Sequence, residues 1–267
     1  MQLLTPLLPD AGAPLARANP VAKLVAALVL LLVLFASLDA VTAAVILAGL
    51  VVLLPFSGLS VRALLGRAWV VGLLAVAIAA FNVLFAAEQL GPIAIVAGPV
   101  RIGAETIANG AGLGLRLLAI ALAGILATAT SDPTDTADAL VQHARVSPRF
   151  AVGVLAALRL LPMLARDSQV IGMARRARGV DAGRSPLAAV RLLGSRLMGL
   201  LVGAIRRGSR MALAMEARGF GATRCRTVAR PQRMRLADGG WIAGSMLLAG
   251  AAIGASIALG TWRPVFG

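Results

Sequence analysis

The stretch that decides the fold is residues 21–56, which read VAKLVAALVLLLVLFASLDAVTAAVILAGLVVLLPF. Two apolar runs, 21–36 and 40–56, are separated only by Ser37-Leu38-Asp39. A helix needs about 20 apolar residues to cross the hydrocarbon core of a bilayer, so each run is near the short end of that length. The stretch therefore predicts a helical hairpin that crosses a membrane twice.

The composition of the whole chain also favours a membrane protein. Of the 267 residues, 59% are hydrophobic and 14% are charged, whereas a soluble domain is about half apolar and about a quarter charged. This balance argues against a soluble globular enzyme, and the single cysteine excludes a disulfide-stabilised scaffold. The predicted fold class is an all-α, polytopic membrane protein of about five transmembrane helices, with a cytoplasmic domain of long amphipathic helices.

Three further apolar segments complete the predicted membrane part, and they are residues 68–87, 106–130 and 239–260. The intervening stretch 88–105 is predicted to be a loop. We therefore divide the chain into three parts: an N-terminal membrane domain of four spans (1–130), an Arg-rich domain (131–237) and a C-terminal transmembrane helix (238–267).

Small and charged residues inside the spans need a packing explanation. Gly110, Gly112 and Gly114 follow no strand, so we interpret them as sites of close helix packing and not as a dinucleotide-binding loop. Arg116 lies in the fourth span, where a charge exposed to lipid is costly, and we expect it near a membrane boundary or paired.

The net charge of +15 lies entirely in one internal block. Residues 137–237 contain 19 arginines and four acidic residues, whereas the rest of the chain has equal numbers of basic and acidic residues. One explanation is nucleic-acid binding, but Phe150 and Phe220 are the only aromatic residues in the block that could stack on bases. We therefore predict no nucleic-acid partner.

The other explanation of the charge is that basic loops stay on the cytoplasmic side of a membrane. With the N-terminus inside, the basic residues Arg17, Lys23, Arg62 and Arg67 and the Arg-rich block all lie inside, whereas Asp39 lies outside. This arrangement predicts a multi-pass protein whose N-terminus and residues 131–237 are cytoplasmic.

The Arg-rich block is predicted to contain two long helices. The first, residues 149–178, is interrupted by Arg159, Pro162 and Arg166, and we predict that it does not span the membrane. The second, residues 187–218, is amphipathic. A helical wheel places the arginines at 191, 196, 206, 207 and 210 on one half, and the apolar residues Leu193, Leu197, Leu200, Leu201, Ala204, Met211 and Met215 on the other.

Both helices end in the same tripeptide. One ends in Ala177-Arg178-Gly179 and the other in Ala217-Arg218-Gly219, with Glu216 just before. A glycine just past a helix end adopts the left-handed conformation that caps the last carbonyls. The preceding arginine then lies in the last turn, and its guanidinium can extend beyond the helix end. Two such helix ends suit a partner that is itself two-fold or pseudo-two-fold.

With these motifs the sequence resembles a family, the transmembrane coupling components of energy-coupling factor (ECF) transporters, also called EcfT, CbiQ or BioN. The paired Ala-Arg-Gly motifs are its most specific features. Supporting similarities cover nearly the whole chain: Asn19-Pro20-Val21-Ala22-Lys23-Leu24, residues 128–140 with Pro133, Leu158-Arg159-Leu160-Leu161-Pro162, Met215 to Gly221, and Arg226-Thr227.

The resemblance implies a non-catalytic subunit in the plasma (inner) membrane of a prokaryote. Arg178 and Arg218 would each engage one of two ABC-type ATPase subunits, and Pro162 and Glu216 would support the two motifs. The long helices would form a crossed scaffold beneath a separate substrate-binding membrane protein, the S-component. That protein would select the substrate, a vitamin or a transition-metal ion.

Missing motifs agree with a subunit that depends on ATPase partners. The sequence contains no Gly-x-x-x-x-Gly-Lys-Ser/Thr loop and no His, Cys and carboxylate cluster at metal-ligand spacing, so we predict neither a cofactor nor a bound metal. Two alternatives remain open: a self-contained secondary transporter, and a membrane-anchored module that binds RNA or acidic lipid through its total charge.

Overall fold

The protein is described here from a computed structural model, which covers residues 12–86, 92–97, 100–181, 183, 185–220, 230–262 and 264. In these residues it has nine α-helices: α1 (Pro14–Arg17), α2 (Pro20–Ala36), α3 (Ala40–Leu53), α4 (Val61–Leu84), α5 (Ala104–Ala129), α6 (Pro133–His143), α7 (Pro148–Ala177), α8 (Pro186–Ala217) and α9 (Leu236–Ala258). A 3-10 turn (Leu54–Ser57) extends α3, and strands β1 (Ile93–Ala97) and β2 (Val100–Gly103) pair antiparallel.

The prediction of an all-helical membrane fold is confirmed. Five helices in the described residues are long and apolar enough to cross a membrane, and they are Ala40–Ser57, α5, α7, α8 and α9. This set differs from the five predicted spans. The helix α2 and the apolar part of α4 (Trp69–Leu84) are shorter than 18 residues, whereas α7 and α8 are long and apolar enough to be included. The reason is that the arginines of α7 and α8 are spaced so widely that a stretch of 18 residues in each helix holds at most two charged side chains.

Two local elements differ from the sequence prediction. Part of the predicted 88–105 loop forms the β1–β2 hairpin, because the β-branched residues Ile93, Ile95, Val100 and Ile102 favour extended pairing. In addition, Pro133 starts α6, a helix that we did not predict. The Asp132 side chain accepts a hydrogen bond from the Thr134 amide at 2.6 Å, and proline suits the first position of a helix.

The chain divides into two compact units, one made of Leu4–Ala139 and Gln232–Gly267 and the other of Leu140–Pro231. In the first unit, α2, α3, α5 and α9 pack around a core that includes Leu34, Ile46, Ala119 and Ala252. Many large apolar side chains of α2, α3 and α9 point outward, as expected for surfaces that face lipid.

Close helix packing within this unit depends on the predicted glycines. An ideal Cβ on Gly110 would lie 2.9 Å from the Ala79 carbonyl oxygen, and one on Gly112 would lie 3.0 Å from the Ala40 Cβ. These glycines therefore bring α5 close to α4 and α3. Arg116, farther along α5, is partly buried and interacts electrostatically with Asp39, which precedes α3.

A buried polar network joins the ends of three helices of this unit. The Lys23 ammonium donates hydrogen bonds to the Thr130 carbonyl at 2.8 Å, the Ser131 hydroxyl at 3.2 Å and the Ala16 carbonyl at 3.4 Å. The Asp238 carboxylate accepts hydrogen bonds from the backbone amides of Asn19 and Arg235, each at 2.7 Å. The network fixes the start of α2 against the end of α5 and the start of α9.

Asp39 caps the start of α3 in the short connection between α2 and α3. Its carboxylate accepts hydrogen bonds from the Thr42 amide at 2.7 Å and from the Ser37 hydroxyl. Burial alone would raise the pKa of this carboxyl, but hydrogen bonds from Ser37, Thr42 and Ser256 outweigh it, so the pKa lies below its ordinary value.

Candidate functional site

The second compact unit contains α7 and α8, which pack against each other in antiparallel orientation. The Arg207 guanidinium of α8 lies 2.6 Å from the Asp167 carboxylate of α7. Closer to the end of α7, Arg175 donates hydrogen bonds to the Leu192 carbonyl and the Ser195 hydroxyl, each at 2.9 Å. Later residues of α7 therefore meet earlier residues of α8, as in a helical hairpin.

The partition of α8 into a polar and an apolar face is only partly as predicted. The partly buried positions of α8 are Ala188, Leu192, Arg196, Leu200, Gly203, Ala204, Arg207, Met211 and Met215. They include two arginines of the predicted polar face, whereas Leu193, Leu197 and Leu201 of the predicted apolar face are more than half exposed. The long aliphatic stems of arginine can pack on a neighbouring helix while the charged heads remain hydrated.

The first Ala-Arg-Gly motif forms the cap of α7. The helix ends at Ala177, Arg178 is the capping residue, and Gly179 has a φ of +73°, the left-handed conformation predicted from the sequence. The amide of Val180 donates to the Arg175 carbonyl at 2.9 Å, and the amide of Gly179 donates to the Arg176 carbonyl at 3.0 Å. These bonds satisfy carbonyls that the helix leaves unpaired.

The second motif repeats this geometry at the end of α8. The helix ends at Ala217, Arg218 is the capping residue, and Gly219 has a φ of +69°. The amide of Phe220 donates to the Met215 carbonyl and that of Gly219 to the Glu216 carbonyl, each at 2.9 Å. The two motifs therefore share one backbone conformation.

The two motif arginines lie at opposite ends of the α7–α8 pair. Val180 and Asp181, just past Arg178, line a cleft with Ala189 and Leu192 near the start of α8, whereas Arg218 ends that helix. Most of the 32-residue α8, a helix of about 48 Å at about 1.5 Å per residue, separates them.

The six motif residues, Ala177, Arg178, Gly179, Ala217, Arg218 and Gly219, are all exposed. Within the described part of the chain, neither the Arg178 nor the Arg218 guanidinium has a hydrogen-bond or ion-pair partner. Both cations are therefore available to bind a partner.

The two supporting residues occupy different environments. Pro162 lies inside α7 and is exposed. Because proline lacks an amide hydrogen, the Leu158 carbonyl loses its usual partner within the helix. Glu216 lines a groove of about 430 Å³ between the start of α7 and the end of α8, together with Arg149, Met215 and Phe220. Gly221, Arg226 and Thr227, part of the sequence similarity, lie outside the described residues.

The cleft that Val180 and Asp181 line beside the first motif has a volume of about 620 Å³ and was not found from the sequence. Its lining includes Arg175, Arg176 and Arg196, which come from both helices. No sequence spacing connects Arg196 with the end of α7, because the contact depends on how the two helices pair. The described residues contain no group of three or more His, Cys, Asp or Glu side chains that could hold a metal ion.

The model of the CbiQ family, described as a cobalt transport protein, matches residues 11–228 of the chain. The chain belongs to this family. Its members are known as non-catalytic transmembrane subunits of transporters, and both sequence motifs and all of α2 to α8 lie inside the matched range.

Curated relatives of this family member bear the name energy-coupling factor transporter transmembrane protein EcfT. The protein from Heliobacterium modesticaldum is 33% identical over 151 residues, which are 53% of this chain and 56% of that protein. The protein from Limosilactobacillus fermentum is 31% identical over 183 residues, 64% of each chain. The protein from Bacillus subtilis is 29% identical over 138 residues, 49% of this chain and 52% of that protein. The matched part thus spans about half to two thirds of the length of these relatives.

Proposed function

We propose that this CbiQ-family chain is the transmembrane coupling subunit of an ECF-type ABC importer. In this function it transmits the movement of two cytoplasmic ABC-type ATPase subunits to a substrate-binding S-component, which takes up a vitamin or a transition-metal ion. The chain itself hydrolyses no ATP and needs no cofactor of its own. The names of the curated relatives support this assignment to an ECF transporter.

The observation that carries the proposal is the pair of identical helix caps at opposite ends of the α7–α8 pair. Each cap presents one exposed arginine, Arg178 or Arg218, with no partner among the described residues. A guanidinium offers five donors in a planar fork, which suits carboxylates and backbone carbonyls of a partner. Two such ends, separated by most of the length of α8, suit two ATPase subunits that each bind one end.

Transmission of movement requires that α7 and α8 move together. The Asp167–Arg207 ion pair and the two hydrogen bonds of Arg175 join the helices at separate points. When a partner displaces one cap, these contacts make the other helix move as well, so the displacement is not lost as bending of a single helix end. Coupling between sites requires a stiff element of this type whose arrangement both partners bias.

The proposed topology follows from charge. We place α2, α3, α4, α5 and α9 across the membrane, and α7 and α8 at its cytoplasmic side. The arginines of α7 and α8 favour this placement, because a charged side chain at mid-bilayer costs about 2.5–3.5 kcal/mol. The cell membrane of a prokaryote is the proposed location.

Co-expression with candidate ABC ATPases and S-components, found as neighbouring genes, tests the proposal. The double variant Arg178→Ala with Arg218→Ala should abolish transport and weaken co-purification of the ATPases. The matched control is Arg206→Ala with Arg210→Ala, because both of these α8 arginines are exposed and neither joins α7 to α8. Arg196 and Arg207 are unsuitable controls since both lie against α7.

The outcomes separate the proposal from its alternatives. If the two double variants behave alike, total charge and not the two caps matters, and an anion-binding module is favoured. If purified chain alone transports a solute in vesicles without ATP, the chain is a secondary transporter and the proposal is wrong.

A further inference from the structure

The cleft beside the first motif combines positive charge with a defined shape. It has a volume of about 620 Å³ and lies between the second half of α7 and the start of α8. Arg175, Arg176 and Arg196 line it, together with the polar side chains of Ser168 and Gln169. The chemistry of this lining suits an anionic group with several oxygen acceptors, such as a phosphate.

The position of Arg196 in the cleft depends on a glycine. An ideal Cβ on Gly172 would lie 3.0 Å from Arg196 Nη2 and 3.4 Å from its Cζ, so the guanidinium packs directly against this glycine and a side chain there would crowd it. The Arg196 Nε atom is buried and has no hydrogen-bond partner among the described residues.

The remaining charges of the cleft leave it positive. Arg175 uses two of its donors to hold α8, through Leu192 and Ser195, and its charge is therefore fixed in place. Among the described residues of the lining, Asp181 is the one carboxylate, and it has an interaction partner of its own. Three guanidinium groups against one carboxylate favour an anionic ligand over a neutral or cationic one.

One rim of the cleft is apolar and exposed. Leu193 lines the cleft and is 53% exposed, and Leu187 and Val190, six and three residues earlier on α8, are 79% and 67% exposed. Residues spaced by three lie on one side of a helix, so these side chains form a continuous apolar strip beside the arginines. A soluble phosphate compound would make no use of this strip, whereas the acyl chains of a lipid would cover it.

We propose that this cleft binds the headgroup phosphate of an anionic phospholipid, with the acyl chains on the Leu187–Val190–Leu193 strip. The inference goes beyond coupling, and it rests on the proposed function only for the placement of α7 and α8 at the cytoplasmic leaflet. Lipid bound here would lie directly beside the Arg178 cap, since Arg175, Arg176 and Val180 belong to both regions.

Native mass spectrometry of the full chain in mild detergent tests the lipid site. The protein is incubated with an equimolar mixture of phosphatidylglycerol and phosphatidylcholine that carry the same acyl chains. The fraction of protein that carries each lipid is then measured. Wild type should prefer phosphatidylglycerol. Each arginine near an anionic lipid contributes about 1 kcal/mol, so the preference should fall about fivefold for Arg176→Gln and again for Arg196→Gln. The control Arg206→Gln with Arg210→Gln should keep the wild-type preference.

A charge-neutral variant tests the site without removing an arginine. Gly172→Ala should push the Arg196 guanidinium by a few tenths of an ångström and lower the preference less than Arg196→Gln does, whereas Gly199→Ala, whose added Cβ would meet no atom within 4 Å, should leave it unchanged. Folding of each variant is checked by its thermal unfolding in the same detergent.

Three results would overturn the proposal. Equal losses in the cleft variants and the Arg206 and Arg210 control would show a diffuse charge effect. Full displacement of phosphatidylglycerol by inorganic phosphate would show a general phosphate site. If Arg176→Gln and Arg196→Gln leave the lipid preference unchanged but abolish ATPase co-purification, the cleft holds an acidic protein segment. Loss of the lipid preference in the cleft variants with ATPase binding intact supports the lipid site. This conclusion would hold even if Arg178→Ala with Arg218→Ala left transport unchanged.

Discussion

Asp167 of α7 and Arg207 of α8 form an ion pair in which Oδ2 and Nη2 lie 2.6 Å apart. Both side chains are partly exposed, at 39% and 29%. A pair of this exposure contributes at most about 1 kcal/mol to folding, because water screens the attraction. Its larger effect is on the relative position of the two helices.

Replacing Arg207 should therefore affect coupling more than stability. We expect Arg207→Ala to lower the unfolding free energy by about 1 kcal/mol or less, and to reduce the amount of substrate transported per ATP hydrolysed by the assembled complex. The unfolding free energy is measured by denaturation, and the transport ratio is measured in proteoliposomes. Arg206→Ala, an exposed neighbour, is the control. Equal transport ratios for the two variants would contradict this role of the ion pair.

The glycines of the two caps should be intolerant of a side chain. Gly179 and Gly219 have φ values of +73° and +69°, where an L-residue with a Cβ costs about 1–2 kcal/mol. We expect Gly179→Ala and Gly219→Ala to fray the last turn of each helix, seen as faster amide hydrogen exchange at residues 175–180 or 215–220, and to weaken ATPase co-purification.

The matched control for these cap variants is Gly199→Ala in the interior of α8. Nothing within 4 Å would meet the new Cβ, and alanine in a helix is more stable than glycine by about 0.5–1 kcal/mol. This variant should slow hydrogen exchange in α8. Cap variants that exchange as slowly as wild type would show that the left-handed glycines are dispensable.

Lys23 should be important for the stability of the compact unit that contains α2, α3, α5 and α9. It is 4% exposed, and its ammonium group donates to three oxygen atoms at the ends of neighbouring elements. Hydrogen bonds to a charged group contribute about 1.5–3 kcal/mol, so Lys23→Met should lower the thermal unfolding temperature clearly. Arg17→Met, at an exposed position, should leave the unfolding temperature near that of wild type. If both variants lowered the unfolding temperature equally, the cause would be the loss of a positive charge and not the loss of the Lys23 hydrogen bonds.

Asp39 should give the protein an acid-sensitive contribution to stability. Because its pKa is depressed in the folded state, its carboxylate stabilises the fold above the ordinary value of 3.8, and this contribution is lost as the pH falls through the lower folded value. We expect Asp39→Asn to unfold at a lower temperature than wild type at neutral pH, with a difference that shrinks below about pH 4. A difference that is the same at every pH would contradict this prediction.

Several features of the fold and the site could be read directly from local sequence. The ends of α7 and α8 lie within one residue of their predicted positions, since Ala-Arg-Gly is a local stop signal. The left-handed conformations of Gly179 and Gly219 were predicted for the same reason. By contrast, the β1–β2 hairpin and the start of α6 were missed, because short elements carry little periodicity and proline can both end and begin a helix.

The sequence by itself determined that the chain is an all-helical membrane protein with a basic segment and two equal helix caps. These properties follow from hydropathy, charge and capping, which depend on residues close together in the chain. Only the tertiary structure decided that Arg178 and Arg218 lie at opposite ends of a pair, that Arg196 and Arg207 face α7, and that Gly172 makes room for a three-arginine cleft. Such relationships depend on the direction and register in which α7 and α8 pack, which are set by contacts between side chains 20 to 40 residues apart.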